Sequence, residues 1–518
     1  MPVKEHLTQI SNVLVIGCGG AGLRSAIEIK KSGLDVCILG KRPKTDAHTV
    51  LAAGGINAAL GNLDKEDSWE QHFIDTYLEG YGIGDPLKIE IMAKESPSLV
   101  NEIDKWGADF AKLKNGELDQ RFFGAHTYRR TCYSGDFTGL SILKTLLKKS
   151  DELKIPIYSY PEYIYNQSTD KKRVVIGGSH GKTSITAMIL HVLHHYNMNC
   201  DYMVGAKLDG FDTMVRLTAE APIIVLEGDE YLSSPIDRQP KFHWYKPHIA
   251  ILSGIAWDHI NVFPTFENYV NQFRIFKNDV EDVLFYCDDD EVLSDLCQED
   301  SNCRLESYSI PNHYVEDGIT YLIDEENKHR LEIFGEHNLQ NLNAALLVCQ
   351  ELGIQKSDFY KAISLFKGAS NRLELVKKGK SSVIYKDFAH SPSKLKATSS
   401  AMKKQYTHRA LVACMELHTF SSLNKDFLKE YMGAMDTPEI AVVYFSKEAI
   451  AHKKLEDISV EQIHKAFGRQ DLKIFTDSKD LQQFLKSLEW NNRNLLMMSS
   501  GNFDGIDFNS LAEDLLGS

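Results

Sequence analysis

A glycine-rich stretch, residues 177–183 (GGSHGKT), carries the residue types that bind nucleotide phosphates. Backbone N–H groups in such a loop, followed by the N-terminus of a helix, can surround phosphate oxygens. Lys182 would neutralise charge on the β- and γ-phosphates, and the Thr183 hydroxyl would bind Mg²⁺. The spacing departs from the general G-x-x-x-x-G-K-[ST] pattern because Gly177 is one residue too close to Gly181. Since a glycine turn with a lysine can also be an ordinary connection, the strand before it and the helix after it are part of the prediction.

Two further polar segments follow predicted buried strands at residues 223–226 and 249–253. The first is residues 227–230 (EGDE), whose carboxylates could complete a magnesium shell. The second contains Asp258 and His259. Either segment alone could be an exposed acidic turn or a structural histidine. Because the three polar segments end three successive strands of a parallel sheet, we expect them to share one edge and to form a phosphate and metal site.

A second glycine turn lies near the start of the chain, at residues 17–22 (GCGGAG). It follows an apolar strand at residues 12–16 and precedes a helical pattern, and a second strand is predicted at 36–39. This is a βαβ unit with G-x-G-x-x-G in the context that binds dinucleotides. The chain therefore contains two different phosphate-binding turns.

The elements that position these turns predict an α/β protein with three domains. At 518 residues, the chain is long enough for roughly three domains of ~100–200 residues each. The pattern changes near Tyr158 and again near Arg372, after which strands are predicted at residues 383–385, 410–413, 440–444 and 495–498. Alternating strands and helices indicate doubly wound parallel sheets.

Composition and charge exclude some classes of protein. The formal net charge of −14 argues against nucleic-acid binding through a diffuse basic surface. The nine cysteines contain no C-x-x-C pair, which favours thiols in a reducing compartment over a disulfide framework or a zinc site. No apolar run reaches the ~18–20 residues that span a bilayer, and the polar start is not a signal peptide. We expect a cytoplasmic protein with no membrane span.

From about Tyr158 onward, these motifs resemble those of the Mur ligases of peptidoglycan metabolism. The phosphate loop is similar to the shortened G-T-x-G-K-T loop of that family, with Ser179 in place of threonine. Residues 227–231 resemble its E-A-D-E segment and Asp258–His259 its D-H pair. Three more motifs follow in the same order, at residues 334–341, 368–374 and 387–392.

The resemblance implies an ATP-dependent, Mg²⁺-using carbon–nitrogen ligase with a mobile third domain. By resemblance, Thr183, Glu227 and His259 hold the metal, while Lys182, His259, Arg372 and His390 serve catalysis. The residues expected to contact ATP are Gly178, Ser179, His180, Gly181, Lys182, Thr183, Ser184, His337, Asn338, Asn341, Arg372 and Asp387. His390, together with His418, is placed near the incoming amine.

Within the family, residues 230–231 and 235–242 look most like the murein peptide ligase branch. That branch joins UDP-N-acetylmuramate to the tripeptide L-alanyl-γ-D-glutamyl-meso-diaminopimelate. The second possibility within the family is a UDP-N-acetylmuramate–L-alanine ligase. Both imply small-molecule substrates, with no nucleic acid and no membrane partner.

The N-terminal third instead resembles the start of the succinate dehydrogenase and fumarate reductase flavoprotein subunits. Gly17, Gly19 and Gly22 match the turn that holds the FAD pyrophosphate, and His48 matches the histidine that carries the flavin covalently. Residues 47–59 and 129–139 also fit the flavoprotein pattern. The resemblance therefore implies FAD as a cofactor of this segment.

The flavoprotein resemblance stops at residues 154–158, before the capping domain, the dicarboxylate-binding residues and the C-terminal flavin segment of that family. The second strand also ends without an acidic residue suited to ribose hydroxyls. We therefore expect three domains: a Rossmann-like FAD-type fragment (1–157), a central P-loop ATPase domain (158–370) and a C-terminal Rossmann-like domain (371–518). A natural fusion, a recombined chimera and an assembly error would each give this pattern.

Three functional hypotheses follow from this mixture of motifs. The first is an active ATP-dependent amide ligase, and the second is a flavin-binding oxidoreductase fragment. The third is a ligase-like body that binds ATP without ligating, because its UDP-sugar domain has been replaced.

Overall fold

A computed structural model describes residues 11–40, 47–208, 210–231, 239–257, 262–325, 327–452 and 456–517. The chain divides into two compact units. The first consists of Met1–Gln167 with Leu232–Pro240, and the second of Ser168–Tyr231 with Lys241–Ser518. Each unit has its own sheets and cores.

The first unit is built on a three-stranded parallel sheet in the order β1-β2-β5. Helices α1 and α4 pack on this sheet through a core that includes Leu23, Ile27, Leu143 and Leu146. The elements are β1 Val13–Ile16, α1 Gly20–Lys31, β2 Val36–Gly40, a 3₁₀ turn His48–Leu51, β3 Ile56–Asn57, α2 Trp69–Glu79, α3 Pro86–Lys105, β4 Thr131–Cys132, α4 Thr138–Glu152, β5 Ile157–Ser159 and α5 Tyr160–Asn166.

Local sequence signals set the helix starts in this unit. Ser68 caps α2 by accepting from the Gln71 N–H, and Asp85 caps α3, whose first residue is a proline. Proline suits that position because the first helical N–H has no partner within the helix. Ser159 and Glu162 form a reciprocal capping box at the start of α5.

The second unit begins with a seven-stranded sheet in the order β12-β11-β10-β6-β9-β7-β8, parallel except for β8. Its elements are β6 Lys172–Gly177, α6 Lys182–His195, β7 Cys200–Met203, β8 Val215–Arg216, β9 Ile223–Glu227, β10 Ile249–Leu252, α7 Phe266–Asn278, β11 Val283–Cys287, α8 Glu291–Gln298 and β12 Arg304–Tyr308. An antiparallel sheet follows, β13 His313–Glu316, β14 Ile319–Asp324 and β15 Asn327–Leu331, and then α9 Glu336–Glu351 and α10 Lys356–Ile363. Because β6 pairs with both β9 and β10, the ends of these three strands lie side by side.

The last part of the second unit is a six-stranded sheet in the order β16-β17-β21-β18-β19-β20, with only β16 antiparallel. Apolar cores lie on both of its faces, as in a three-layer sandwich. The elements are β16 Glu374–Lys378, β17 Val383–Asp387, α11 Pro392–Gln405, β18 Ala410–Glu416, α12 Lys425–Leu428, β19 Ile440–Tyr444, α13 Lys447–His452, α14 Val460–Phe467, β20 Lys473–Phe475, α15 Ser478–Ser487, β21 Arg493–Met498 and α16 Phe508–Leu516.

The predicted α/β class with predominantly parallel sheets is confirmed. Several strands are longer than predicted: β9 runs to Glu227, β17 to Asp387 and β18 to Glu416, and β21 begins at Arg493. The residue at each of these ends is polar, so an apolar run does not reveal it. Cys414 and Met415 of β18 are apolar and buried, and the predicted strand stopped short of them. No helix among the described residues is long and apolar enough to cross a membrane.

All nine cysteines lie within the described residues, and none forms a disulfide. Eight are buried and Cys303 is partly exposed. Burial raises the pKa of the Cys132 thiol to about 12. These thiols serve as small apolar core residues.

Candidate functional site

The glycine loop between β6 and α6 brings backbone close to its neighbours at two positions. Gly178 has φ +118° and Gly181 has φ +74°, both in the region that favours glycine. A Cβ at Gly181 would lie 2.2 Å from Asn341 Oδ1, and one at Gly178 would lie 2.4 Å from Ser253 Oγ. The loop conformation therefore excludes side chains at both glycines.

The hydroxyl of Ser179 stabilises the loop. It hydrogen-bonds to the Tyr269 hydroxyl at 2.8 Å and accepts from the Ala256 N–H at 2.9 Å. The Ser253 hydroxyl also donates to the His180 carbonyl. The loop is therefore held by residues from the segment after β10 and from α7, which sequence spacing could not show.

Lys182 and Thr183, the first two residues of α6, face the carboxylates at the end of β9. The Lys182 ammonium donates to the Gly178 carbonyl at 2.7 Å and to the Glu230 carboxylate at 2.5 Å. The Thr183 hydroxyl donates to Glu227 Oε1 at 2.8 Å. The structure thus brings together the predicted phosphate lysine, the predicted magnesium threonine and the predicted magnesium carboxylate at one edge of the sheet.

The charges around Lys182 keep it protonated. Burial alone would lower the pKa of the lysine, but the nearby carboxylates of Glu230 and Asp229 outweigh burial and raise it. Burial likewise raises the pKa of Asp229, but Lys241, at 2.6 Å, and Lys182 outweigh it, so this pKa is lowered. A buried ammonium beside a glycine loop is an arrangement that binds phosphate.

A cavity of about 410 Å³ opens beside this loop within the second unit. Its volume lies in the usual range for small-ligand sites. The predicted site residues that line it are Ser179, His180, Gly181, Lys182, Thr183, Ser184, Glu227, His337, Asn338, Asn341, Arg372 and Asp387. Ser393, Lys394 and Thr398 of α11 also line it, and the sequence motifs did not mark these three.

The wall formed by β17 and the residues before it is held by the Asp387 carboxylate, which accepts from the Leu373 and Ala389 N–H groups, both at 2.7 Å. Burial raises the pKa of Asp387 and lowers that of the Arg372 guanidinium. Arg372 also stacks over the Phe388 ring at 4.7 Å. An arginine and a carboxylate on the same wall can bind ribose hydroxyls and phosphate oxygens.

The start of α9 forms a less charged part of the cavity. Burial lowers the pKa of His337, so its imidazole is neutral near pH 7. The Asn338 amide donates to the Phe334 carbonyl at 2.9 Å, and Asn341 packs over Gly181. A neutral ring beside two amides suits an uncharged heterocycle such as adenine.

One predicted histidine does not line the cavity, and another is not among the described residues. His390 hydrogen-bonds through Nδ1 to the Phe388 carbonyl at 2.8 Å, and it does not line the cavity. Its role near an amine therefore stays a prediction. His259 and Asp258 lie outside the described residues. Within the part of the chain that the structure describes, no group of three His, Cys, Asp or Glu side chains could hold a metal.

In the first unit, the glycine turn has the close approach that a dinucleotide turn requires. Gly17 has φ +113°, and a Cβ at Gly22 would lie 1.9 Å from the Gly17 carbonyl oxygen. The Gly20 N–H, at the start of α1, donates to the Thr49 hydroxyl at 2.9 Å. A Cβ at Gly19 would also lie 3.4 Å from that oxygen, and His48 is exposed at the start of the 3₁₀ turn. The turn fits a pyrophosphate, but one of its N–H donors already has a partner.

A larger cavity, about 680 Å³, lies in the first unit between α2, α3 and residues 123–126. The buried Arg130 beside it pairs with Asp67 at 2.7 Å and Asp75 at 2.9 Å. Burial, and then the charge of Arg130, lower the pKa of His72 to about 4. Because the arginine is neutralised by two carboxylates and the histidine is uncharged, this cavity does not attract phosphates.

Comparison with known proteins divides the chain near the boundary between the two structural units. Residues 176–349 match the Mur ligase middle domain. Residues 12–166 match a different family, described as an FAD binding domain. The two resemblances seen in the sequence are therefore confirmed.

The relatives of the two parts differ in the same way. A succinate dehydrogenase flavoprotein subunit from Rickettsia felis is 41% identical over 160 residues, which cover 29% of this chain and 26% of that protein. The chain thus spans about a quarter of the length of this flavoprotein relative. A UDP-N-acetylmuramate–L-alanine ligase from Desulfitobacterium hafniense is 23% identical over 336 residues, covering 62% of this chain and 73% of that protein.

One solved structure has a fold similar to that of nearly the whole chain. It is a UDP-N-acetylmuramate–alanine ligase from Thermotoga maritima, with a TM-score of 0.53 and 14% identity. The match covers 96% of this chain and 97% of that one. At this identity the likeness concerns the fold alone.

Proposed function

We propose that this chain is built as an ATP-dependent, Mg²⁺-using amide ligase that activates the carboxylate of UDP-N-acetylmuramate. The observation that carries the proposal is the convergence of Lys182, Thr183 and Glu227 beside a cavity that Arg372 and Asp387 also line. This arrangement matches what phosphoryl transfer needs, namely a fixed cation and a carboxylate-held metal around the γ-phosphate.

The chemistry would proceed through an acyl phosphate. The muramyl carboxylate oxygen attacks the γ-phosphorus of ATP, and ADP leaves. The substrate amine then attacks the carbonyl carbon, and the tetrahedral intermediate loses inorganic phosphate and a proton to give the amide. Lys182 would stabilise the charge that develops on the transferring phosphoryl group, and Arg372 would hold the nucleotide.

Thr183 and Glu227 would hold Mg²⁺, together with His259 if the family pattern applies. Mg²⁺ bound there would neutralise phosphate oxygens during the transfer. The contact between Thr183 and Glu227 at 2.8 Å supports this assignment, because an alcohol and a carboxylate already share one site.

For the amine substrate we propose the tripeptide L-alanyl-γ-D-glutamyl-meso-diaminopimelate, with L-alanine as the alternative. The first choice comes from the resemblance of residues 230–231 and 235–242 to murein peptide ligases. The second is supported by the Desulfitobacterium hafniense relative, which is a UDP-N-acetylmuramate–L-alanine ligase. A role in peptidoglycan synthesis or recycling would place the protein in the cytoplasm.

A flavin-binding fragment is the second candidate, and the turn of Gly17, Gly19 and Gly22 favours it. Backbone groups of this turn would hold the FAD pyrophosphate and His48 would lie beside the flavin, which would supply redox chemistry. The Thr49 contact to Gly20 and the short match to flavoproteins argue against a complete cofactor site. A flavin absorbance that survives denaturation would favour this candidate over the ligase.

ATP turnover measured with and without UDP-N-acetylmuramate and tripeptide tests the ligase proposal. We expect the wild-type protein to bind Mg·ADP. In a chain whose residues 1–157 are replaced by the N-terminal domain of a Mur ligase, Lys182→Ala should lower substrate-dependent turnover by about 10²–10³-fold, since one such group contributes ~2.7–4 kcal/mol to lowering the barrier. Lys377→Ala is the control, because this lysine pairs with Glu513 away from the cavity. A wild-type chain that binds no nucleotide would contradict the proposal.

A further inference from the structure

Glu230 is the carboxylate partner of Lys182, the predicted phosphate-binding lysine. Its carboxylate lies 2.5 Å from the Lys182 ammonium, and the side chain is 3% exposed. The lysine also donates to the Gly178 carbonyl in the phosphate loop, so its ammonium is directed at the loop. Lys182 therefore already has an anionic partner.

The two neighbouring carboxylates have other partners. Asp229 pairs with Lys241 at 2.6 Å, and Glu227 accepts from Thr183 and from the Gly205 N–H, both at 2.8 Å. Among the described residues, Lys182 is the only hydrogen-bond partner of the Glu230 side chain. Glu230 is thus the carboxylate whose surroundings change most when a phosphate takes the lysine.

A buried carboxylate that loses its cation is unfavourable, because the charge is no longer compensated and water does not replace the partner. An incoming phosphate must therefore either displace Glu230 or share Lys182 with it. Both outcomes weaken nucleotide binding relative to a site with a neutral side chain at position 230. The same effect would speed the release of ADP after the reaction.

We propose that Glu230 is an internal counter-ion of Lys182, so that nucleotide binding exchanges a carboxylate for a phosphate on the same ammonium. This inference rests on the proposed nucleotide-binding function and adds to it a positioning residue that sets the affinity for ADP. Glu230 acts through Lys182 and does not touch the reacting atoms.

The test is calorimetric titration of the full-length protein with Mg·ADP. Glu230→Gln should bind ADP roughly three- to tenfold more tightly than wild type, with slower ADP release, because the competing charge is gone. Asp229→Asn is the matched control: it removes the same charge one residue earlier, but from a carboxylate paired with Lys241, and should change affinity less. Glu230→Asp keeps the charge and should stay near wild type.

The sign of the change decides the proposal. Weaker or unchanged ADP binding in a folded Glu230→Gln protein would overturn it, because the carboxylate would then orient Lys182 for phosphate or be irrelevant to it. If Glu230→Gln does not fold, Glu230→Asp with clearly altered ADP affinity would overturn it instead. Absence of ADP binding in wild type would count against the proposed function and not against the role of Glu230 alone.

Discussion

Each unit of the molecule contains a glycine turn between a parallel strand and a helix, but the side chains around the two turns differ. In the first unit, Gly17 and Gly22 bring strand and helix into contact, and the Gly20 N–H is bonded to the Thr49 hydroxyl. In the second unit, Lys182 and Thr183 follow the turn directly and face carboxylates. The first turn presents mainly backbone N–H groups, whereas the second is followed by the Lys182 ammonium and the Thr183 hydroxyl.

This difference distinguishes a turn that only binds a phosphate from a turn that can support phosphoryl transfer. Backbone N–H groups bind a pyrophosphate that stays intact, so a dinucleotide turn needs no cation of its own. Transfer of a phosphoryl group requires charge placed where the transition state develops it. By this criterion the second unit can carry the chemistry, and the first unit can at most position a cofactor or a substrate.

Exchange of the first unit should have the largest effect on ligation. Residues 1–157 contain none of the recognised groups that hold UDP-N-acetylmuramate, and positioning of a substrate can contribute ~7–11 kcal/mol to lowering a barrier. We expect weak or absent ligation by the chain itself, and restored ligation when these residues are replaced by the N-terminal domain of a Mur ligase. Product formation from UDP-N-acetylmuramate and tripeptide measures this.

The same graft carrying Lys182→Ala is the control, and it should remain inactive. Strong ligation by the unmodified chain would contradict the expectation that the first unit does not hold UDP-N-acetylmuramate. It would mean that the flavoprotein-like segment itself binds the sugar nucleotide.

A core substitution in the first unit should separate the stabilities of the two units. Leu143 is buried with Leu23 and Ile27, and Leu143→Ala should destabilise this unit by about 3 kcal/mol through lost packing. In calorimetry, one transition should move to lower temperature, while the transition that Mg·ADP raises should stay. Leu34→Ala, at an exposed leucine, is the control. Equal shifts of both transitions would show that the units unfold together.

The smallest expected effect is a pH dependence confined to the first unit. His72 has a pKa of about 4 in the fold and ~6.5 when unfolded, so its contribution to stability is complete above pH ~6.5 and is lost as pH falls toward 4. Near pH 5 the loss should be about 2 kcal/mol. Urea unfolding at pH 7 and pH 5 measures this loss of stability, and His72→Gln should reduce the difference in unfolding free energy between the two pH values. An unchanged difference in the variant would contradict the assignment of this pH dependence to His72.

The sequence was sufficient for those parts of the site that depend on strand order. Lys182, Thr183 and Glu227 follow neighbouring parallel strands, and the ends of such strands must lie side by side. The contact between Lys182 and Glu230 was not predictable, because Glu230 lies three residues beyond its strand and its position depends on the loop. The bond between Ser179 and Tyr269 joins residues 90 positions apart, which spacing cannot reveal.

Residues of α11 illustrate the same point. Ser393 and Lys394 line the cavity although no motif marks them. Their helix, α11, is placed there by its packing on the six-stranded sheet. His390 carries a family motif, yet its imidazole bonds to its own loop. Motifs identify chemistry near the strands, and long-range packing decides which other side chains reach it.

The rate at which the buried cysteines are alkylated would report the opening of each unit. Cys18, Cys37 and Cys132 lie in the first unit and the other six in the second. A protonated, buried thiol does not react with an alkylating reagent until the surrounding structure opens. Mass spectrometry of alkylated peptides over time would therefore report local unfolding of the two units separately, with the partly exposed Cys303 as the fast internal reference.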